Sequence, residues 1–157
     1  AQKIGGRGTY LYAPFIVENR ETAVSLRNDP TLKEIISSGR ECQLALLGVG
    51  STKPEFCSLY TGKHITAREL ETIQAAGAVG DVCAVYFNRE GEMVDLGFHQ
   101  RRIGISREGL LEIPIRLGVA GGMEKADAIL GALRGRFINA LVTDRLTAQR
   151  ILDLAGN

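Results

Sequence analysis

Short apolar runs that alternate with helix-like segments constrain the fold of this chain most. The run "QLALLGVG" at 43–50 is almost uninterrupted, as expected of a parallel strand that is covered on both faces. Similar runs lie at 10–17, 81–87, 115–120 and 137–144. Strands separated by helices of about 10 residues are typical of βαβ units. We therefore predict an α/β fold with a mainly parallel sheet and, because crossovers are right-handed, helices on both faces.

Capping residues predict where several helices begin. Pro30 suits the first position of a helix, where its missing N–H costs nothing. Thr66 and Glu69 have the spacing of a capping box, in which each side chain accepts a backbone N–H of the other. Ser106 and Asp144 precede two later helical segments. These signals support the alternation of helices and strands.

Length, composition and charge indicate one ordinary globular domain. The chain has 157 residues, of which 45% are hydrophobic and 24% charged, enough to bury a core. Its formal net charge of +1 gives no basic surface for gripping nucleic acid. No run approaches the roughly 18 apolar residues of a membrane span, and the first eight residues do not have the pattern of a signal peptide. We expect a cytoplasmic protein without a membrane partner.

The chain offers few residues for metal or catalytic chemistry. Cys42, Cys57 and Cys83 are odd in number and widely spaced, as expected of reduced thiols in the cytosol. A metal site needs paired cysteines or histidines at short spacing, and only His64 and His99 could add to them. Neither a Gly-x-Ser-x-Gly elbow nor a dinucleotide fingerprint occurs. We predict no catalytic residue, no metal and no cofactor.

The segment "GGMEK" is one of three loops where a ligand could bind, because ligands of open α/β sheets bind beyond the carboxyl ends of strands. The others are "GVGSTKPE" and "TDRLT". Gly121 and Gly122 allow a close backbone approach, and the following helix would offer free N–H groups. Lys125 would add a positive charge, which suits a phosphate. The alternative is a tight turn with a solvated lysine.

Asp81 is a second candidate for ligand binding. It lies between the glycine-bounded "AAGAVG" and an apolar run, where its carboxylate could accept hydrogen bonds from sugar hydroxyls. The alternative is a turn residue that bonds its own backbone. Ser58 could lend a hydroxyl to the same cleft or cap a helix. A binding function requires that Asp81 and Lys125, which are far apart in the chain, converge at one rim.

Several long stretches resemble the C-terminal effector-binding domain of SorC/DeoR-like bacterial transcriptional regulators. They are "YLYAPFIVE", "ALLGVGS", "ITARELETIQAAGAVGDVCAVYFNREGE", "RRIGIS" and "GVAGGMEKADAILGALRGRFINALVTDRLTAQRILD". The resemblance runs nearly from end to end. It implies a fold related to sugar-phosphate isomerases and deaminases. It also implies a phosphorylated sugar or related metabolite as effector, a homo-oligomer, and DNA binding through an N-terminal helix-turn-helix of the intact protein.

The resemblance also implies roles for individual residues. Asp81 would accept a ligand hydroxyl, and Lys125 would contact ligand oxygens, most simply those of a phosphate. The remaining ligand-binding positions would be Ser58, Cys83, Gly121 and Gly122. Regulators of this family carry a DNA-binding module and a further stretch of effector domain ahead of the point that matches Ala1. We therefore expect residues 1–157 to form part of a single effector-binding domain that binds sugar phosphate weakly or not at all by itself.

Two other functions remain open at this point. A sugar-phosphate isomerase or deaminase on the same fold needs a general base and usually a second acid. Asp81 could be the base, but neither histidine has a suggestive partner. A purely structural oligomerisation domain would need no ligand, and Lys125→Ala would then leave any ligand response unchanged. We expect the sensing domain of a sugar-responsive regulator.

Overall fold

Two three-stranded sheets organise the chain in this computed structural model, which describes Lys3 and residues 5–156. The first sheet is parallel, with the order β1-β5-β6. The second is antiparallel, with the order β2-β3-β4. The strands are β1 (Leu44–Leu47), β2 (Gly50–Ser51), β3 (Gly80–Val82), β4 (Val85–Phe87), β5 (Ile115–Val119) and β6 (Ala140–Val142). The predicted α/β class with a parallel sheet is confirmed.

Seven α-helices connect these strands in the described part of the chain, and three short 3-10 turns lie between them. Thr66 and Glu69 form the predicted capping box, and Asp29, Ser106 and Asp144 accept backbone N–H groups at three other helix starts. The helices are α1 (Arg20–Asn28), α2 (Pro30–Arg40), α3 (Ser58–Thr61), α4 (Ala67–Ala75), α5 (Arg107–Glu112), α6 (Ala126–Arg134) and α7 (Arg145–Ala155). None of them is long and apolar enough to traverse a bilayer.

The first predicted strand, 10–17, is not a strand. Its backbone contact is an isolated antiparallel bridge between Ile16 and Arg102. Pro14 has no N–H to donate and a fixed φ, so a regular ladder cannot run through it. The segment before this run, "AQKIGGRGT", reads as the tail of a helix, and this expectation falls partly on Ala1, Gln2 and Ile4, which lie outside the described residues.

The run 81–87 also differs from its prediction as one strand. It is a hairpin of β3 and β4 joined by Cys83 and Ala84, whose φ angles are +52° and +56°. Two successive positive φ values are the geometry of a type I′ turn, which matches the twist of a hairpin but strains residues other than Gly, Asn and Asp. The hairpin brings the backbone N–H of Ala84 back to the side chain of Asp81.

Close packing holds α6 against the hairpin. A β-carbon at Gly80 would lie 2.5 Å from that of Ala128, and one at Gly131 would lie 2.6 Å from the carbonyl oxygen of Asn88. Only glycine at these two positions permits so short a distance between helix and strands. Because β3 carries Asp81 and α6 follows Lys125 directly, this packing fixes the relative position of the two charged residues.

One face of the parallel sheet is exposed. Side chains alternate between the two faces of a strand, and the strand register places one apolar set on the same side. The members of this open face that are between 47% and 68% exposed are Leu44, Leu46, Ile115, Val119 and Val142. The opposite face carries Leu47, which belongs to the main core. Among the described residues, no second layer of helices covers the open face.

Candidate functional site

A cavity of about 270 Å³ lies at the carboxyl end of β1, where the chain passes into β2. We call it the sugar cavity below, after the ligand that the sequence resemblance predicts for Asp81 and Lys125. Ligands of α/β sheets bind at such strand ends. Four of the six residues that the sequence predicts for the site line it, namely Asp81, Lys125, Ser58 and Cys83. The other lining residues are Phe15, Gly48, Val49, Gly50, Leu59 and Ala84.

Asp81 is the buried acid of this cavity. Asp81 is 8% exposed, and its Oδ2 accepts a hydrogen bond from the Ala84 N–H at 2.9 Å. Burial raises the pKa of the carboxyl from 3.8 to about 6, although the Ala84 N–H and the positive charge of Lys125 act against this rise. A β-carbon on Gly50 would lie 1.9 Å from Oδ1. Glycine at position 50 therefore leaves room for the carboxylate beside β2.

Lys125 supplies the cation of the cavity. It is the last residue of a 3-10 turn directly before α6 and is half-buried. Its Nζ donates to the carbonyl oxygen of Val49 at 3.2 Å. An ammonium group has three N–H donors, so two remain for other acceptors. Asp81 and Lys125 thus lie on one cavity, as a binding function requires, while the ion pairs of the described residues lie elsewhere.

Ser58 and Cys83 also line the cavity. Ser58 is exposed, whereas Cys83 is half-buried. Ser58 is the first residue of α3, and its side chain does not cap that helix. Cys83 lies in the hairpin turn, and burial raises the pKa of its thiol. The raised pKa keeps the sulfur uncharged at neutral pH, so it forms neutral wall beside the charged groups.

The two glycines of "GGMEK" do not line the cavity. The expected set of free amides is not present at Gly122, because its N–H donates to Asp144 Oδ2 at 3.1 Å and to Thr147 Oγ1 at 2.8 Å. Gly121 lies next to the same carboxylate, since a β-carbon there would be 2.8 Å from Asp144 Oδ2. The loop is thus hydrogen-bonded to the start of α7. Lys125 is the one residue of "GGMEK" that lines the cavity.

The sequence did not single out the backbone groups and apolar side chains that complete the site. Gly48 and Gly50 lie in the candidate loop "GVGSTKPE", but no local pattern indicates which of its atoms face a ligand. Phe15 reaches the cavity from a segment that was expected to be a strand. Ala84 matters through its N–H, which depends on a turn type that Cys-Ala does not signal.

Neither histidine belongs to the cavity. His64 lines a separate cavity with Glu69 and Arg101, and His99 lies 3.4 Å from Asp95. Among the described residues that line the sugar cavity, Asp81 is the one carboxylate. A general base there would have no second acid beside it.

Comparisons with a family model and with curated proteins both relate this chain to transcriptional regulators and their sugar-binding domains. Residues 1–153 match a family described as "Putative sugar-binding domain". The transcriptional regulator LsrR of Enterobacter sp. (strain 638) is 37% identical over 146 residues, which cover 92% of this chain and 45% of that protein. The LsrR of Escherichia coli (strain K12) is 34% identical over 142 residues, with 89% and 45% covered. The chain thus spans less than half the length of these curated relatives, both of which are named transcriptional regulators.

Solved structures of regulators have the same fold. A domain of a transcriptional repressor from Vibrio fischeri is 32% identical, with a TM-score of 0.89, and the match covers 99% of this chain and 62% of that one. The full-length sorbitol operon regulator SorC from Klebsiella pneumoniae is 29% identical, with a TM-score of 0.80, and the match covers 88% of this chain and 45% of that one.

Proposed function

Since this chain belongs to the sugar-binding domain family of SorC/DeoR-type regulators, we propose that it is the effector-sensing part of a sugar-responsive bacterial transcriptional regulator. The effector is a phosphorylated sugar or a related metabolite, and it binds in the sugar cavity. The observation that carries this proposal is that one cavity is lined by a buried carboxylate, Asp81, and a cation, Lys125. A sugar phosphate presents hydroxyl donors at one end and an anion at the other.

Asp81 is suited to recognise hydroxyl groups. One carboxylate oxygen is occupied by the Ala84 N–H, while Oδ1 accepts no hydrogen bond from the described residues. A ligand hydroxyl that donates to Oδ1 would stabilise the charged form of this carboxyl and so act against the rise in its pKa that burial causes. Such a charge-assisted bond in a buried place is stronger than a neutral one.

Lys125 is suited to recognise the phosphate. Its ammonium is anchored to the Val49 carbonyl, which fixes its direction at the cavity without neutralising its charge. Because the Gly122 amide is already bonded to α7, the proposal assigns the phosphate contact of this loop to the lysine and not to a nest of amides.

Signal transmission belongs to the intact regulator, which acts in the cytoplasm as a homo-oligomer and binds DNA through a helix-turn-helix. An effector alters DNA binding only if it binds one arrangement of the subunits more tightly than another. Closing of the sugar cavity around the effector would provide that difference in affinity.

The test is a calorimetric titration of the full-length protein with pairs of sugars that differ only in a phosphate, such as ribose and ribose 5-phosphate. We expect the phosphorylated member of the matching pair to bind at least about 10-fold more tightly. Lys125→Met should abolish that ratio, whereas Asp81→Asn should weaken both members. Lys33→Met, at an exposed position of α2, is the matched control and should change neither affinity.

Three outcomes would contradict the proposal. A phosphate preference that survives Lys125→Met would place the anion elsewhere. Turnover of pentose or hexosamine phosphates by the full-length protein would favour an enzyme. A thermal-shift screen in which no sugar or sugar phosphate raises the melting temperature would favour a structural domain, because a ligand that binds the native state must stabilise it.

A further inference from the structure

We propose that a second cavity, lined by three arginines, is a binding site for a phosphate-class dianion and is separate from the sugar cavity. This arginine cavity has a volume of about 230 Å³. Its charged lining residues are Arg27, Arg102, Arg107 and Glu108. Three guanidinium groups thus face one carboxylate.

Arg102 is the central group of this cavity. It is only 6% exposed, and its Nη2 donates to the carbonyl oxygen of Ile105. Its Nη1 is buried and has no hydrogen-bond partner among the described residues. Burial lowers the pKa of the guanidinium, which still remains charged at neutral pH. The charge of Glu108 favours the protonated guanidinium, but Glu108 forms no ion pair with it. A buried charge that no carboxylate contacts directly is costly, and an anion at Nη1 would reduce that cost.

Arg27 and Arg107 add positive charge and unused donors. Neither forms an ion pair with a described residue. Arg27 donates one hydrogen bond, from Nη2 to the Gln100 carbonyl at 3.1 Å, and its charge opposes protonation of Arg102. The Arg107 guanidinium lies 5.3 Å from the centre of the Phe137 ring, and its Nε has no partner. An anion would relieve the mutual repulsion of these groups.

Gly104 leaves space beside the unpartnered nitrogen. It lines the arginine cavity, and a β-carbon at this position would lie 3.4 Å from Arg102 Nη1. Any side chain would therefore occupy the volume in front of that donor. Guanidinium forks match the oxygens of phosphate with two parallel hydrogen bonds. The three-to-one charge balance favours a dianion over a monoanion.

The two cavities have no lining residue in common. The β3–β4 hairpin lies between them, with Cys83 on the sugar cavity and Val85 on the arginine cavity. The charges of both Asp81 and Arg102 affect the pKa of the Cys83 thiol, in opposite directions. Because the two cavities share no lining residue, the proposal assigns the arginine cavity to a second anion and not to the far end of the sugar effector.

Anomalous diffraction locates such an anion directly. Crystals of the full-length protein are soaked in arsenate, which has the shape and charge of phosphate. We expect an anomalous peak within hydrogen-bond distance of Arg102 Nη1 that disappears when excess inorganic phosphate competes. Glycerol phosphate in place of inorganic phosphate then shows whether a phosphomonoester also fits. The proposal is overturned if the crystals show no such peak at an arsenate concentration that stabilises the protein in a thermal-shift assay.

Calorimetry with inorganic phosphate, at constant ionic strength, tests the same site in solution. The background is Lys125→Met, which removes the cation of the sugar cavity. Adding Arg27→Gln or Arg107→Gln should weaken phosphate binding at least 10-fold, and both variants keep the buried Arg102. Arg150→Gln, at an exposed position of α7, is the charge-matched control and should leave the affinity unchanged. Equal affinities in Arg27→Gln, Arg107→Gln and Arg150→Gln would refute the site.

Discussion

Replacing Asp81 by asparagine should remove the pH dependence that this residue imposes on stability. The folded pKa of about 6 lies above the ordinary value of 3.8 that applies to the unfolded chain. Between these two values the folded state holds more protons than the unfolded state, so stability falls as the pH rises. The contribution of the protonated carboxyl is fully present below pH 3.8 and is lost once the pH has passed about 6.

The size of the effect follows from the shift. A difference of about 2 pKa units corresponds to about 3 kcal/mol, at about 1.4 kcal/mol for each unit. Asparagine has nearly the same shape, carries no charge at any pH and can still accept the Ala84 N–H through its oxygen. In the absence of ligand, Asp81→Asn should therefore gain up to about 3 kcal/mol relative to the native protein between pH 4 and pH 7.

Urea unfolding of both proteins at a series of pH values measures this difference. The quantity to plot is the free energy of unfolding of the variant minus that of the native protein, and it should rise with pH and level off above about pH 7. Asp153→Asn, at an exposed position of α7, is the control. It measures how the loss of a solvated carboxylate changes the free energy of unfolding. A difference that stays flat or falls with pH for Asp81→Asn would refute the argument that desolvation dominates at this position.

Two further substitutions distinguish effects on ligand binding in the sugar cavity from effects on the stability of the fold. Gly50→Ala places a β-carbon 1.9 Å from Asp81 Oδ1, so we expect a loss of about 1–3 kcal/mol in the free energy of unfolding from overpacking. It should also weaken sugar-phosphate binding at least 10-fold in calorimetry, and an unchanged affinity would contradict the assigned geometry. Thr66→Ala removes the capping box of α4 and should cost about 1 kcal/mol in urea unfolding. Its effect on ligand affinity should be nil, because Thr66 does not line the sugar cavity.

Local signals predicted the helices well because a cap depends on residues close together in the chain. The Thr66, Ser106 and Asp144 caps all formed as expected. Asp144 also shows the limit of such signals, since its carboxylate accepts the Gly122 N–H from 22 positions away. That tertiary contact occupies the Gly122 N–H, one of the amides that the predicted phosphate loop would offer, and no local pattern indicates it.

The convergence of Asp81 and Lys125 was predictable in part. Lys125 follows the carboxyl end of β5, where ligands of α/β sheets bind, so a site at this lysine was a reasonable expectation. Asp81 lies inside β3 of the antiparallel sheet, and no local pattern indicates that this strand meets the same cavity. The type I′ turn at Cys83 and Ala84 was not predictable, because these residue types do not favour positive φ. The arginine cavity was missed for a similar reason. No local pattern indicates that Arg102, which forms a backbone bridge with Ile16, is only 6% exposed.

The open face of the parallel sheet has a consequence for how purified material should behave. Five aliphatic side chains that are about half in water represent roughly 5 kcal/mol of favourable free energy for whatever shields them. β1 and β6 are the outer strands of this sheet, and their unpaired amides and carbonyls would add to the attraction. Fluorescent hydrophobic dyes should therefore bind to this chain in its native form. Its light scattering should rise steeply with concentration.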